Sequence, residues 1–258
     1  MHLPGRGINM DKANYSNWVS NKFIYGPGIL AILFLGSSFL SSFLLIGAIL
    51  FLLITGYFFY ARSLLASGGG KIQDQIQELV LQHLAWDGKG KALDIGCGNG
   101  PLTNKLAKKY PAAKVTGTDS WGKGWDYAKR VCDENARLEG VSGRVEFQKA
   151  SAVHLPFPDG GFDAAVSNLV FHEVSKARDK RELIREALRV VRKGGVFAFQ
   201  DLFQLKRVYG EPQELVETLK GWGITKVEYL DTSKSEFIPH ALKLPFMVGS
   251  MGILYGIK

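Results

Sequence analysis

The sequence predicts an α/β fold: a doubly wound, mostly parallel seven-stranded sheet preceded by a transmembrane helical hairpin. Three observations predict it. In a chain of 258 residues, 39 consecutive positions between Lys22 and Arg62 carry no formal charge. From Lys91 onward, short apolar runs alternate with amphipathic helical patterns, the signature of parallel strands joined by crossover helices. Finally, a glycine-rich turn follows the first of those runs, and an acid closes the second.

Composition narrows the function classes. With 46% hydrophobic and 22% charged residues the chain is a folded protein, not a disordered one. Lys and Arg exceed Asp and Glu by 32 to 24, a net charge of +8. Arg6, Lys12, Lys22 and Arg62 against Asp11 give +3 of that before residue 63. The remaining +5 is spread over the rest of the chain without aromatic-basic alternation, so no nucleic-acid partner is expected. Cys97 and Cys132 are the two cysteines, too few for a disulfide scaffold, and no histidine has metal-ligand spacing, so no metal is expected.

The elements follow in order. Residues 1–22 form an N-terminal flank. Residues 23–61 would reach about 58 Å as one helix, whereas an apolar bilayer core of about 30 Å takes about 20 residues. The segment therefore fits two spans, with Gly36, Ser37, Ser38, Ser41 and Ser42 at the turn. Phe23 and Tyr25 at one outer end, and Tyr57, Phe58, Phe59 and Tyr60 at the other, suit the interface. Basic residues on both flanks place both ends in the cytoplasm, so the expected location is the cell membrane with the following domain on the cytoplasmic side. A shallow re-entrant hairpin is the rival, because Gly26-Pro27-Gly28 shortens the first helix. Residues 62–70 end in SGGG, a flexible linker. The domain over residues 71–258 opens with a helix in which Ile72, Ile76, Leu79, Val80 and Leu84 recur at helical spacing. Strands are predicted at residues 91–95, 114–118, 144–148, 162–167, 196–200, 225–230 and 252–257. Helices are predicted at 102–109, 125–138, 180–191 and 212–220. Only a loop joins the last two strands, so one of them is expected to run antiparallel.

The stretch KALDIGCGNGP at residues 91–101 carries the most chemistry. Gly96, Gly98 and Gly100 let backbone pass close to a ligand, and Pro101 suits the first turn of the helix that follows. The spacing G-x-G-x-G differs from the dinucleotide fingerprint G-x-G-x-x-G. Asp94, two residues before the first glycine, repels a pyrophosphate and attracts an amino group. Asp119 ends the second strand, where a carboxylate can accept both hydroxyls of a ribose. Together they describe a site for a nucleoside with a cationic tail.

From about Gln73 onward the chain resembles the class I S-adenosylmethionine-dependent methyltransferases. The resemblance rests on LDIGCGNG at 93–100, GTD at 117–119, LPFPDGGFDAAVS at 155–167 and LRVVRKGG at 188–195, and is nearest to the quinone-biosynthesis and other small-molecule methyltransferases. It implies a Rossmann-like methyltransferase fold with S-adenosyl-L-methionine as cofactor. It also implies that Asp94 and the turn of Gly96, Cys97, Gly98, Asn99 and Gly100 hold the methionine part, and that Asp119 binds the ribose. Ser120, Trp121 and Asn168 complete the expected cofactor set. The family often places an Asp-Ala pair before the Leu-Pro-Phe run to contact the adenine amino group. Ser151 and Ala152 stand there, which makes that contact neutral.

His172, after the fourth strand, is the candidate general base, since substrate meets cofactor at that sheet edge and its pKa lies near neutrality. Trp121 is expected over the adenine or the cofactor edge, and Trp125 in the core. Cys97 is expected to serve by its size alone. Arg178, Lys180, Arg181, Arg185, Arg189 and Arg192 are expected on a solvated, salt-bridged face. Phe237, Ile238, Leu242, Leu244, Pro245, Phe246 and Met247 suggest a hydrophobic acceptor site facing a bilayer. The expected function is a membrane-anchored methyltransferase acting on a small or lipid-like acceptor. The alternative is a non-catalytic membrane-bound module that binds the same cofactor.

Overall fold

The computed structural model describes residues 12–66, 71–122 and 129–258. Ser16–Gln75 make one compact unit, and Ile76–Lys258 with the described residues 12–15 make the other. Of the linker expected at 62–70, residues 62–64 belong to the helix Leu44–Leu64 and 67–70 lie outside the described residues, as do Trp125 and the first four residues of the helix predicted at 125–138.

In the first unit, α1 (Lys22–Gly36) and α2 (Leu44–Leu64) pair along their length. Phe23 stacks on Phe58 at 5.1 Å and Phe34 meets Phe51 at 5.5 Å, so the helices run antiparallel. Gly47 makes room for this approach: a β-carbon there would stand 2.5 Å from the Phe34 ring. The outward faces are apolar, with Ile32, Phe39, Phe43, Ile46 and Leu53 each at least 65% exposed. Pro27 lies inside α1 without ending it.

The second unit is a seven-stranded sheet in the order β3-β2-β1-β4-β5-β7-β6. The strands are β1 (Gly90–Ile95), β2 (Ala113–Asp119), β3 (Val145–Lys149), β4 (Phe162–Asn168), β5 (Val191–Asp201), β6 (Lys226–Asp231) and β7 (Gly252–Ile257). β1 to β5 pair in parallel, and β7 is antiparallel to both β5 and β6, so the sheet is mixed. The residue alternation of the strands sends side chains into two cores. Ala92, Val115, Ala164, Val166 and Ala198 pack with α3 (Ile72–Gln82), α4 (Pro101–Lys109) and α5 (Lys129–Leu138). Leu93, Ile95, Ala165, Phe197 and Phe199 pack on the other face with α6 (Arg181–Arg189) and α8 (Pro212–Gly221). Burying Leu183, Ile184 and Leu188 of α6 contributes about 1.5–3 kcal/mol each.

Among the described residues, two boundaries differ from the sequence reading by more than one residue. The helix predicted over 180–191 ends at Arg189, because Val191 pairs with Phe162 and starts β5 there. β5 therefore runs 11 residues instead of the 5 at 196–200, passing a register shift opposite Phe162 and Ala164. A short helix, α7 (Lys206–Tyr209), and a 3-10 turn at Phe171–Glu173 lie in segments for which the sequence predicts no element. The basic face of α6 is salt-bridged: Arg181 to Asp179, Arg185 to Glu182, Arg189 to Glu186 and Asp159, and Arg192 beyond it to Asp163.

Candidate functional site

The parallel strands end together, and their C-terminal ends carry the candidate residues. β1 runs into a turn in which Gly96, Gly98 and Gly100 all have left-handed φ, at +73°, +57° and +83°. Gly96 N–H and Cys97 N–H donate to the Thr118 carbonyl at 2.7 and 2.9 Å, and Gly100 N–H donates to the Cys97 carbonyl at 2.8 Å. A β-carbon on Gly96 would stand 2.2 Å from the Val170 side chain, so this turn lies directly against the segment that follows β4. Pro101 opens α4, and Lys108 and Lys109 at its end complement the helix dipole.

Asp94 is buried beneath the turn and accepts a 2.6 Å hydrogen bond from Thr103 Oγ1. Burial pushes its carboxyl up to about 7, and the Asp119 charge adds to the shift. Asp119 accepts from Gly98 N–H on one oxygen and from Trp121 N–H on the other, both at 2.9 Å. Each oxygen keeps a lone pair, so two hydroxyls of a sugar suit it. Trp121 has φ +41° and its indole N–H donates to the Gly98 carbonyl at 3.1 Å; its ring also packs on the core of that face. It is fastened to the glycine turn. Ser120 is exposed beside it.

Ser151 and Ala152 follow β3, beside Asp119, whose carbonyl accepts from Ala150 N–H at 3.0 Å. Ser151 is exposed and its hydroxyl accepts from Val153 N–H at 3.3 Å. Asn168 ends β4, and its Oδ1 is buried without a hydrogen-bond partner. Cys97 and Cys132 are buried free thiols; burial pushes Cys97 well above its ordinary value, which suits a packing role.

The chain leaves β4 through Leu169, at a left-handed φ of +57°. Backbone strain of this kind persists where surrounding structure fixes it. Here the fixing group is Asp201, the fully buried last residue of β5. Its Oδ2 accepts from the N–H groups of Val170, Phe171 and His172 at 3.1, 2.7 and 3.4 Å. Its Oδ1 accepts from Leu202 N–H at 2.7 Å and pairs with His172 Nδ1 at 2.6 Å. Every group aimed at this carboxylate is a donor, so Nδ1 carries the imidazole proton and Nε2 is the free acceptor of the neutral ring. Burial pushes His172 down, but the Asp201 hydrogen bond and charge outweigh it and hold the imidazole above its ordinary value. Glu173 lies 3.9 Å from Nε2 and is raised by burial and by the charges of Asp201 and Asp119.

Asp201 was not among the sequence candidates. An acid one residue past the pair Asn168–Gln200, on the neighbouring parallel strand, is the signal that finds it. The apolar segment after β6 divides: Ile238 and Leu242 are buried, whereas Phe246 is 66% exposed.

The residues fit a nucleoside cofactor with a cationic tail. Three carboxylates, Asp94, Asp119 and Glu173, lie close enough that Asp119 raises the other two. Such a cluster favours a cation and disfavours a pyrophosphate.

Residues 93–199 match a family model described as a methyltransferase domain. The chain is 32% identical over 140 residues to the methyltransferase GfsG of Streptomyces halstedii, covering 54% of this chain and 45% of that one. It is 32% identical over 142 residues to the 27-O-demethylrifamycin SV methyltransferase of Amycolatopsis mediterranei, covering 55% and 49%. The chain spans about half the length of the curated relatives it matches. Among solved structures, the [4+2]-cyclase SpnF aligns with TM-score 0.54 at 23% identity, over 72% of this chain and 81% of that one. The geranyl diphosphate C-methyltransferase of Streptomyces coelicolor A3(2), solved with S-adenosyl-L-homocysteine, aligns with TM-score 0.54 at 14% identity, over 72% and 79%. These structural likenesses show the fold. The family match supports S-adenosylmethionine as the cofactor.

Proposed function

We propose that this chain, which carries a class I S-adenosylmethionine-dependent methyltransferase domain over residues 93–199, is a membrane-anchored methyltransferase acting on a small or lipid-like acceptor. When bound, the cofactor supplies an activated methyl group on a sulfonium. Asp94 and the turn of Gly96, Cys97, Gly98, Asn99 and Gly100 hold its methionine part, and Asp119 accepts the ribose hydroxyls. Ser120, Trp121, Ser151, Ala152 and Asn168 line the remainder. The observation that carries the catalytic reading is the His172–Asp201 pair at 2.6 Å, on a segment packed against Gly96 of the turn. His172 Nε2 takes the proton of an acceptor hydroxyl, and Asp201 holds the ring and stabilises the imidazolium.

The anchor is α1 and α2. At 21 residues α2 reaches about 31 Å, enough to cross an apolar bilayer core. At 15 residues α1 reaches about 22 Å, shorter than α2, and the serine-rich turn over residues 37–43 returns the chain to α2. Both ends, with their basic flanks, lie on the cytoplasmic face of the cell membrane, and the methyltransferase domain with them. The exposed Phe246 and Leu244 suit an acceptor drawn from that surface.

Two measurements test this. Full-length protein, expressed in cells, is expected in the membrane fraction after alkaline carbonate washing; recovery in the supernatant contradicts the anchor. Purified protein with methyl-labelled cofactor is expected to label an organic-extractable component of its own membranes. Cofactor binding without labelling of any extract favours the non-catalytic module, for which the exposed Ser151 in the adenine position is the supporting observation.

A further inference from the structure

Asn135, on α5, has no exposure to solvent, and its side chain is spent on two pieces of backbone. Its Oδ1 accepts from Asn14 N–H at 2.8 Å, and its Nδ2 donates to the Asn14 carbonyl at 2.9 Å. One amide thus reads both main-chain groups of residue 14, as a neighbouring strand would. The same Nδ2 donates to the carbonyl of Asn99 at 2.9 Å. Asn99 lies between Gly98 and Gly100, and its own Nδ2 donates back to the Asn14 carbonyl at 3.2 Å. Tyr15 adds a second tie: its hydroxyl donates to Glu139 Oε1 at 2.9 Å and accepts from Asn104 Nδ2 at 3.1 Å. Residues 14 and 15 are therefore fastened to α4, to α5 and to the glycine turn, across more than 80 positions of sequence.

We propose that the strap of Asn14 and Tyr15, clamped by Asn135, is a positioning element for the cofactor turn, so that cofactor binding and strap docking reinforce each other. The proposal rests on the cofactor reading given above. Three glycines widen the range of conformations this turn can take, and restricting that range costs binding free energy. The Asn99 peptide lies in the middle of the turn, and the Asn14–Asn99–Asn135 triangle fixes it. Releasing the strap strips Asn135 of two of its three side-chain hydrogen bonds and removes the bond from Asn99 Nδ2 to the Asn14 carbonyl. The strap ends at Tyr15, and Ser16 is the first residue of the helical-hairpin unit.

Coupling of this kind is reciprocal: whatever factor the strap adds to cofactor affinity, the cofactor adds to strap docking. The test uses the full chain in nanodiscs with S-adenosylhomocysteine as the probe. Hydrogen exchange of the peptide covering residues 12–16 is expected to slow at least about fivefold at saturation. Asn135→Leu, of similar size, is expected to weaken binding at least about tenfold in titration calorimetry and to abolish that slowing. If Asn135→Leu does not fold, Tyr15→Phe serves instead, losing only the hydroxyl ties; about threefold weaker binding and faster exchange at 12–16 are expected. Wild-type protein that binds the probe with unchanged exchange at 12–16 overturns the proposal, as does a folded Asn135→Leu, or in its place Tyr15→Phe, that binds like wild type. Wild-type protein that binds no probe overturns the cofactor reading itself, a separate outcome.

Discussion

Asp119 and Asp201 are both carboxylates at the C-terminal ends of neighbouring parts of one sheet, and they are built for opposite purposes. Asp119 accepts one backbone N–H on each oxygen and stays partly exposed, so it retains capacity for a ligand. Asp201 is wholly buried and its oxygens are taken by four backbone N–H groups and the His172 ring. The first half of the sheet, β1 to β3, leaves its strand-end acid with capacity to accept from a ligand. The second half uses them to hold one side chain in a set orientation. A strand-end acid therefore says little about its role until its donors are counted.

The largest expected effect breaks the second half alone. His172→Gln is expected to slow methyl transfer into the membrane extract by about 10²- to 10⁴-fold. Its affinity for S-adenosylhomocysteine in calorimetry should stay within about threefold of wild type, since the ring serves the acceptor. The pH profile sharpens this. Asp201 raises His172, so the rate should climb as pH rises through that raised value, where the neutral base forms. Asp201→Asn should move the climb to lower pH and lower its plateau. Histidine NMR should show the same downward shift.

Asp119→Ala breaks the first half. It would remove the proposed ribose contacts and leave the N–H groups of Gly98 and Trp121 without this acceptor. Calorimetry should show binding about 100-fold weaker, with a cooperative melt retained.

A smaller effect comes from Asp94. Its folded-state pKa is raised to about 7, so the stability from keeping it neutral is present below its unfolded value of about 3.9. That stability is lost as pH rises through about 7. A cationic amino group reverses the preference and requires the ionised form. Affinity for S-adenosylhomocysteine should therefore tighten about tenfold between pH 6 and pH 8, and Asp94→Asn should abolish that dependence.

The smallest effect adds what the adenine position lacks. Ser151→Asp should tighten binding about fivefold by turning a neutral hydrogen bond into a charge-assisted one. An unchanged affinity would place the adenine elsewhere.

What the sequence made legible follows the same division. Asp94, the three glycines and Asp119 lie within 26 positions, and a strand-turn-helix-strand unit puts them together by local geometry. The seven strands were readable as short runs or alternations of apolar residues, whereas the start of β5 at Val191 depends on pairing with Phe162 across the sheet. His172 was visible as a residue type after a strand. Its partner Asp201 was not, because the contact joins positions 29 apart through sheet register. Asn135 lies further from any local pattern: its partner Asn14 is 121 positions away, in a segment read as a flank. Such contacts depend on tertiary placement that neither propensity nor periodicity encodes.

The most direct test of the central claim is titration calorimetry of the full-length protein with S-adenosylhomocysteine, beside Asp119→Ala. One site per chain is expected, lost or weakened about 100-fold in the variant. A folded wild-type protein that takes up no ligand at millimolar concentration, or a folded Asp119→Ala that binds like wild type, would contradict it.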